Sequence, residues 1–535
     1  MATHEIDWND KLRDVWYKSF YSLNVNIHKT ITEQEKYRKY FVENDSSLTG
    51  NEKKFLFNEL QRTYDTIRID NDSEKKQQCN DCQNWHRATQ YCEFCIRKYL
   101  ENDFGNWTSG NGEIDKLIQE CQQKTIAPDS VIEWIEYDQF ENIELLTEGG
   151  CSTIYTATWK DGYYDKWNPE RRTLERLGGE KIVLKRLNDS NNNNVRWFQE
   201  VTLSFTLDKT STFLALCYGL SKDPRTQDFI LVLWYYDNDL RHFLKENYDS
   251  LTLLQKYRII CKVATSLHKI HKQDTIHRDL HSGNILHHAP AFFWYISDLG
   301  FSGPVEISSN SFYGNLPYIA PEVICGEIYT PKSDIYSLGI IMWEVITGET
   351  PFGDYERNDE HENDDDYEHY LTLYIVKGFR PKIYEYIPNE YVTLMKQCWD
   401  ANPDNRPDAN RVCEKMKSLI KPFYDTQPKD LKSKIKKFFK LKLKKDKNNQ
   451  EFKNTRVSKN TERKTYRTQN SKIHTFNIPI KPRNATDEEQ QEFDSKQFDL
   501  EITDEIQQQY LKSIGVDNSK KSCEYEVPGP SNPGS

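Results

Sequence analysis

Two closely spaced cysteine pairs, Cys79-x-x-Cys82 and Cys92-x-x-Cys95, are the first residues whose spacing suggests chemistry. Four thiolates in two knuckles suit a tetrahedral zinc ion and leave no open position for catalysis, so the role they predict is structural. The nine-residue gap between the pairs is short for a zinc ribbon, and His86 lies inside it as a substitute ligand. Four free thiols in a reducing compartment are the plainer alternative. Further on, Leu146-Thr147-Glu148-Gly149-Gly150-Cys151-Ser152-Thr153-Ile154-Tyr155 is a glycine-containing turn. Its small residues let backbone amides approach phosphates closely, although an ordinary hairpin explains it about as well. Ile182-Val183-Leu184-Lys185 is a buried-strand pattern ending in a lysine, and Glu200 follows fifteen residues later in a helical stretch. A strand lysine and a helix glutamate can pair, which fixes the ammonium against phosphate oxygens.

The stretch His277-Arg278-Asp279-Leu280-His281-Ser282-Gly283-Asn284 resembles the catalytic loop of protein kinases. Ile296-Ser297-Asp298-Leu299-Gly300, Ala320-Pro321-Glu322, Ser333-Asp334-Ile335-Tyr336-Ser337-Leu338-Gly339 and Arg406 in Pro403-Asp404-Asn405-Arg406-Pro407 follow in that family's order. The resemblance covers about 280 residues. It implies an α+β, bilobal protein-kinase fold with a small β-rich lobe and a large helical lobe. It also implies ATP and Mg2+ as cofactors and a protein hydroxyl as acceptor. The implied catalytic residues are Lys185, Glu200, Asp279, Asn284 and Asp298, with Asp279 orienting the acceptor hydroxyl and Asn284 and Asp298 holding magnesium. Nucleotide contacts fall to Leu146, Thr147, Gly149, Gly150, Ser152, Ile154 and Lys185, to Leu233 as gatekeeper, and to Trp234, Tyr235 and Tyr236 at the hinge. Asp334 is expected to brace the catalytic loop and Arg406 to pair with Glu322.

Several positions depart from the pattern. Thr147 and Ser152 replace glycines, Leu299 replaces the usual phenylalanine, Asn315 stands where serine/threonine kinases carry threonine, and His281 stands where many carry a phosphate-facing lysine. Cys398-Trp399 and the wording of the helical lobe resemble the tyrosine-kinase-like branch, which favours serine/threonine over tyrosine without excluding dual specificity. With the cysteine pairs and Phe104-Gly105-Asn106-Trp107, the chain is similar to an expanded fungal family of that type. A pseudokinase scaffold that binds partners without catalysis is the alternative. Ser308, Ser309, Ser311 and Tyr313, between Asp298 and Glu322, are candidate phosphorylation sites whose phosphate would pair with Arg278.

The elements that must position these residues divide the 535-residue chain. Residues 1–75 read as helical, because Trp16 and Phe20, then Leu56, Leu60 and Tyr64, recur at helical spacing. Residues 76–130 hold the cysteine pairs and a linker. Residues 138–420 carry short β-rich runs followed by longer helical ones, which suggests two lobes of one kinase domain. Residues 421–447 form a basic amphipathic segment, and 448–535 a disordered, polar tail.

Lys429–Lys447 has ten lysines among nineteen residues around a stripe of Leu431, Ile435, Phe438 and Phe439. Peripheral contact with an anionic membrane, or with a calmodulin-like partner, suits that pattern, and a solvated linker helix suits it equally. Asp354–His369 is an acidic insertion that reads as a solvated loop. The net charge of −11 gives no general reason to expect nucleic-acid binding. No signal peptide is visible, and the longest apolar runs fall far short of the roughly 20 residues that span a bilayer. A cytoplasmic location, or a nuclear one, is therefore expected.

Overall fold

The computed structural model describes residues 6–24, 27–71, 75–149, 152–191, 195–208, 210, 212–303, 312–353, 364–425, 471–474 and 481–495. Threonines start two of the first three helices, α1 (Asp10–Tyr21), α2 (Ile31–Glu43) and α3 (Gly50–Asp70). Thr30 with Glu33, and Thr49 with Glu52, form reciprocal capping boxes that satisfy the first free amides of α2 and α3. Trp16, Leu56, Leu60 and Tyr64 meet in one core with Phe20 packed against it, as the spacing predicts, and Leu12 and Val42 join them. This module rests on the large lobe: Arg13 Nε donates to the Pro290 carbonyl at 2.7 Å, and Tyr17 to that of Phe292 at 2.8 Å.

The cysteine segment is a short hairpin, β1 (Gln77–Gln78) with β2 (Trp85–His86), followed by α4 (Glu93–Glu101) and α5 (Gly112–Gln122). Buried Asp65 on α3 accepts from the Thr89 and Gln90 amides, and Arg68 pairs with both Asp65 and Glu35. That network joins the cysteine segment to the helices before it.

The small lobe is a six-stranded sheet in the order β3 (Glu133–Trp134), β9 (Cys217–Lys222), β10 (Phe229–Trp234), β8 (Glu180–Leu187), β5 (Ser152–Trp159) and β4 (Phe140–Glu148). A separate hairpin, β6 (Tyr164–Asn168) with β7 (Thr173–Arg176), lies between β5 and β8 in the chain. Period-two alternation sorts the sheet's two faces. Ile182, Leu184, Ile230 and Val232 face Trp159 and Tyr218, while Leu187, Phe229 and Leu231 face Ile114 and Ile118 of α5 and Val201 and Phe205 of α6 (Val195–Thr206). Lys185 lies two residues before Leu187, so it shares the α6 side of β8. That parity determines which helix its ammonium meets.

In the large lobe, β11 (Asn238–Asp239) pairs with β12 (Ile285–His288), which pairs with β13 (Phe293–Ile296). Around this ribbon pack α7 (Leu240–Asn247), α8 (Leu253–His271), α9 (Pro321–Ile324), α10 (Pro331–Thr347), α11 (Asp364–Lys377), α12 (Asn389–Cys398), α13 (Ala409–Ile420) and α14 (Pro422–Asp425). α10 is buried from Ser333 to Thr347, as befits a helix apolar on nearly every side. Between β13 and α9, the strand β14 (Phe312–Gly314) pairs antiparallel with β15 (Lys472–His474).

β15 and a further helix, α15 (Asp487–Ser495), belong to the tail expected to be disordered. These two stretches pack on the large lobe through backbone pairing and a few side chains such as His474 and Phe493. That apolar signal is too sparse to register as a pattern. The acidic insertion likewise ends in structure, since its last residues open α11. Gly150, Ser308, Ser309, Ser311 and the whole of Lys429–Lys447 lie outside the described residues. Among those described, no helix is long and apolar enough to cross a membrane.

Candidate active site

Lys185 reaches across from β8 and bridges two carboxylates, Glu200 Oε1 at 2.6 Å and Asp298 Oδ1 at 2.9 Å. Burial disfavours the charged ammonium, but Asp298 and Glu200 hold its pKa well above the ordinary value. Lys185 returns the effect to Asp298: although burial opposes ionisation, the adjacent ammonium brings that carboxyl down to about 2. Asp298 sits at φ +61°, a left-handed backbone costing of order 1–3 kcal/mol that persists only where the surroundings enforce it. Here they do. Gly300 N–H donates to Asp298 Oδ1 at 3.2 Å, and a Cβ on Gly300 would lie 2.9 Å from Glu200 Oε2. Leu299, which stands where the family pattern has phenylalanine, is buried in the large-lobe core.

The catalytic-loop segment is held from below. Asp334, buried at the start of α10, accepts from His277 N–H at 2.9 Å and Arg278 N–H at 3.0 Å, while His271 Nε2 lies 2.8 Å away. Those bonds hold Arg278 at φ +69° and present Asp279 upward. Asn284 Nδ2 donates to the Asp279 carbonyl at 2.9 Å and approaches Asp279 Oδ2 at 3.4 Å, leaving the amide oxygen as an acceptor. Burial, reinforced by the charge of Asp298, pushes the Asp279 carboxyl up to about 7. His281 is held neutral: burial, with nearby Arg241, drives its pKa down to about 3. Its Nδ1 accepts from Gly283 N–H at 3.1 Å.

Along the nucleotide face the positions are more varied. Leu146 and Thr147 lie exposed on β4, and Gly149 N–H closes the turn onto the Ser152 carbonyl at 2.9 Å. Ile154 pairs with Lys185 in register, and Leu233 with Val183. Leu233 packs toward α6. At the hinge two of the three aromatic side chains are used for packing. Trp234 lies against Tyr163, Tyr218 and His288, and the Tyr236 hydroxyl accepts from Leu216 N–H at 3.0 Å. Tyr235 presents its ring to Lys181 Nζ at 3.8 Å. Among the candidate phosphorylation sites, Tyr313 is described, and its ring stacks on Phe301.

Two buried networks support the loop. The expected Arg406–Glu322 pair is present, with two parallel bonds of 2.7 Å. The other network gave no sequence signal. Ser282 Oγ and the Tyr318 hydroxyl each donate to buried Glu344 at 2.8 Å, and Arg241 Nε donates to Ser282 Oγ at 3.3 Å. It ties α7, the catalytic loop, the segment before α9 and α10 together through four residues spread over a hundred positions.

The four cysteines converge as well. Their sulfurs all lie within 4.8 Å of one another, with Cys79–Cys95 and Cys82–Cys92 both at 3.6 Å. A zinc ion with four bonds of about 2.3 Å needs sulfur separations near that distance, so the set fits a tetrahedral ion. The alternative ligand His86 is buried on β2 and is not among the ligand atoms that converge there.

A family profile described as "Protein tyrosine and serine/threonine kinase" matches residues 140–416. A "Probable LIM domain-containing serine/threonine-protein kinase" of Dictyostelium discoideum is 24% identical over 336 residues, covering 58% of this chain and 46% of the relative. From the same organism, "Dual specificity protein kinase zakA" is 30% identical over 224 residues, covering 39% and 27%. "Probable serine/threonine-protein kinase roco5" is 28% identical over 312 residues, covering 55% and 10%. The chain thus spans less than half the length of each of these relatives. The profile takes in more than half of this chain, from β4 of the small lobe into α13 of the large one; on that match the chain belongs to the protein tyrosine and serine/threonine kinase family.

Proposed function

We propose that the chain is a catalytically active protein kinase that transfers the γ-phosphoryl group of ATP to a protein hydroxyl, serine or threonine in preference to tyrosine. The observation that carries this reading is Lys185 bridging Glu200 and Asp298 while Asn284 holds Asp279. This arrangement supports the reading because it groups side chains of the kinds that phosphoryl transfer uses to grip phosphates and orient a hydroxyl. Lys185 grips the nucleotide phosphates, and Glu200 keeps it from folding away. Asp298, ionised at neutral pH, and the Asn284 amide oxygen are hard oxygen donors, which suits magnesium. Bound there, magnesium would neutralise charge on the phosphates. Asp279 orients the acceptor hydroxyl and takes its proton. Neutral His281 offers a hydrogen bond where an ammonium would offer charge, which lowers the rate without changing the reaction.

The preference for serine and threonine rests on the names of the relatives, one of which is a dual-specificity enzyme. The test is transfer from γ-labelled ATP to a generic protein, with magnesium or with a chelator, followed by phosphoamino-acid analysis. Phosphoserine and phosphothreonine that disappear with the chelator are expected. Phosphotyrosine alone would overturn the specificity.

We also propose that Cys79, Cys82, Cys92 and Cys95 hold one structural zinc ion. Protein purified without chelator is expected to carry about one zinc per chain. Cys82→Ser and Cys95→Ser variants should carry almost none, and should melt earlier because the hairpin and α4 lose their link. Metal analysis finding no zinc in the folded wild type would refute this.

A further inference from the structure

We propose that Ser471, in the chain's own C-terminal tail, is the phosphoacceptor of an intramolecular transfer at this site. The inference rests on the reading of Asp279 as the group that orients the acceptor hydroxyl. Ser471 Oγ donates to Asp279 Oδ1 at 2.7 Å and lies 3.1 Å from His281 Nε2. The first distance is inside the range a general base needs.

The hydroxyl is brought there by a built-in docking arrangement. The three residues after it form β15, which adds to β14 in the register Gly314–Lys472, Tyr313–Ile473 and Phe312–His474. Strand addition of this kind supplies affinity through backbone bonds, and specificity comes from the side chains. His474 is buried and donates from Nε2 to the Gly314 carbonyl at 3.1 Å. Lys472 Nζ lies 2.7 Å, and His474 Nδ1 3.5 Å, from the Glu368 carboxylate on α11. The acceptor segment therefore presents basic residues one and three places after the serine, and Glu368 reads both.

A second attachment holds the tail farther along. Asn484 Oδ1 accepts from Ala401 N–H at 2.9 Å, and Gln490 exchanges two bonds with the Arg380 backbone at 3.0 and 3.1 Å. The Phe493 ring stacks on Phe379 at 4.3 Å. Gly378, at φ +98°, lets the tail backbone pass: a Cβ there would lie 2.3 Å from Ala485 N. An acceptor that belongs to the same chain and is held at two places after it meets the site at an effective concentration of order millimolar, so transfer need not wait for a second molecule.

In the step itself, a bond forms between Ser471 Oγ and the γ-phosphorus of ATP. The bond from that phosphorus to the β,γ-bridging oxygen breaks, ADP leaves with its electron pair, and the Oγ proton passes to Asp279. Once Asp279 passes that proton on to solvent, its carboxylate faces the new phosphate, and like-charge repulsion favours release of the tail.

The experiment uses the full chain, treated with phosphatase and then cleared of it. It is incubated with MgATP and casein in one tube, over about a hundredfold range of chain concentration. Mass spectrometry is expected to find phosphate on Ser471, formed at a first-order rate that does not change with dilution. Ser471→Ala should lack that phosphopeptide. Phe493→Ala, which loosens the second attachment far from Asp279, should slow the reaction by roughly tenfold. Labelled casein with unmodified Ser471 would overturn the inference and leave the kinase reading intact. So would a Ser471 rate that rises in proportion to chain concentration. Label on neither would overturn the kinase reading, and the inference with it.

Discussion

An Asp279→Asn chain is expected to bind MgATP as tightly as wild type, within about twofold, and to transfer phosphate 10²–10⁴-fold more slowly, roughly the contribution of a positioned general base. The geometry separates the two effects. The phosphate grip belongs to Lys185, paired with Glu200 and Asp298, whereas the Asp279 carboxylate is met by Asn284 Nδ2 and Ser471 Oγ. Asparagine keeps the shape, so Asn284 and the loop stay in position. What is lost is the acceptor for the hydroxyl proton, about 3–5 kcal/mol of barrier at 1.36 kcal/mol per tenfold. Calorimetric ATP affinity measured beside kcat checks both halves. A variant that loses nucleotide binding in proportion to rate would place Asp279 among the binding groups instead.

The second large effect concerns stability. Arg406→Ala is expected to destabilise the domain by about 3–5 kcal/mol, the range for removing one member of a buried ion pair. Arg406 is 1% exposed and donates both parallel bonds to Glu322, with further bonds to the Asp400 and Lys332 carbonyls. Without it, the carboxylate of buried Glu322 keeps, among the described residues, the Ser333 hydroxyl at 3.2 Å. Replacing both partners, Arg406→Met with Glu322→Leu, should recover much of the loss, because no buried charge is then stranded. Denaturant unfolding of the two variants checks this. Equal stability of the single and double variants would show that packing, not the ion pair, sets the cost. Glu322 ends the segment that starts at Asp298, so the single variant should also lose transfer activity.

How much of this could be read beforehand depends on how the information lies along the chain. His277–Asn284 is contiguous, and its residue types are set by the reaction, so the loop was legible as a block. Lys185 and Glu200 lie on different elements, yet the parity of β8 already turns Lys185 toward the same side as Leu187. Their meeting follows from the strand's alternation. Asp334 and Arg406 were expected in their roles because the resemblance placed them.

The Arg241–Ser282–Tyr318–Glu344 network was invisible for the opposite reason. Each member is an ordinary residue for its element, and only the tertiary fold brings the four together. The hinge aromatics were read for their place in the chain, and packing with Tyr163, Tyr218 and Leu216 then decided where two of their side chains go. The tail was read from composition, which averages away a single serine, one histidine and one phenylalanine. Strand addition is driven by backbone groups that every residue carries, so composition says little about where it occurs.

A site that performs transfer differs from one that merely holds nucleotide in what becomes of the γ-phosphate. The most direct test is a single-turnover experiment on the wild-type chain, saturated with γ-labelled ATP and magnesium, with ATP binding measured on the same sample. The expected result is movement of label from ATP to protein hydroxyls, with no movement when magnesium is withheld. Saturating ATP binding by folded protein, with the label remaining on ATP even after phosphorylation of the segment before Glu322 by another kinase, would contradict it and mark the chain as a scaffold.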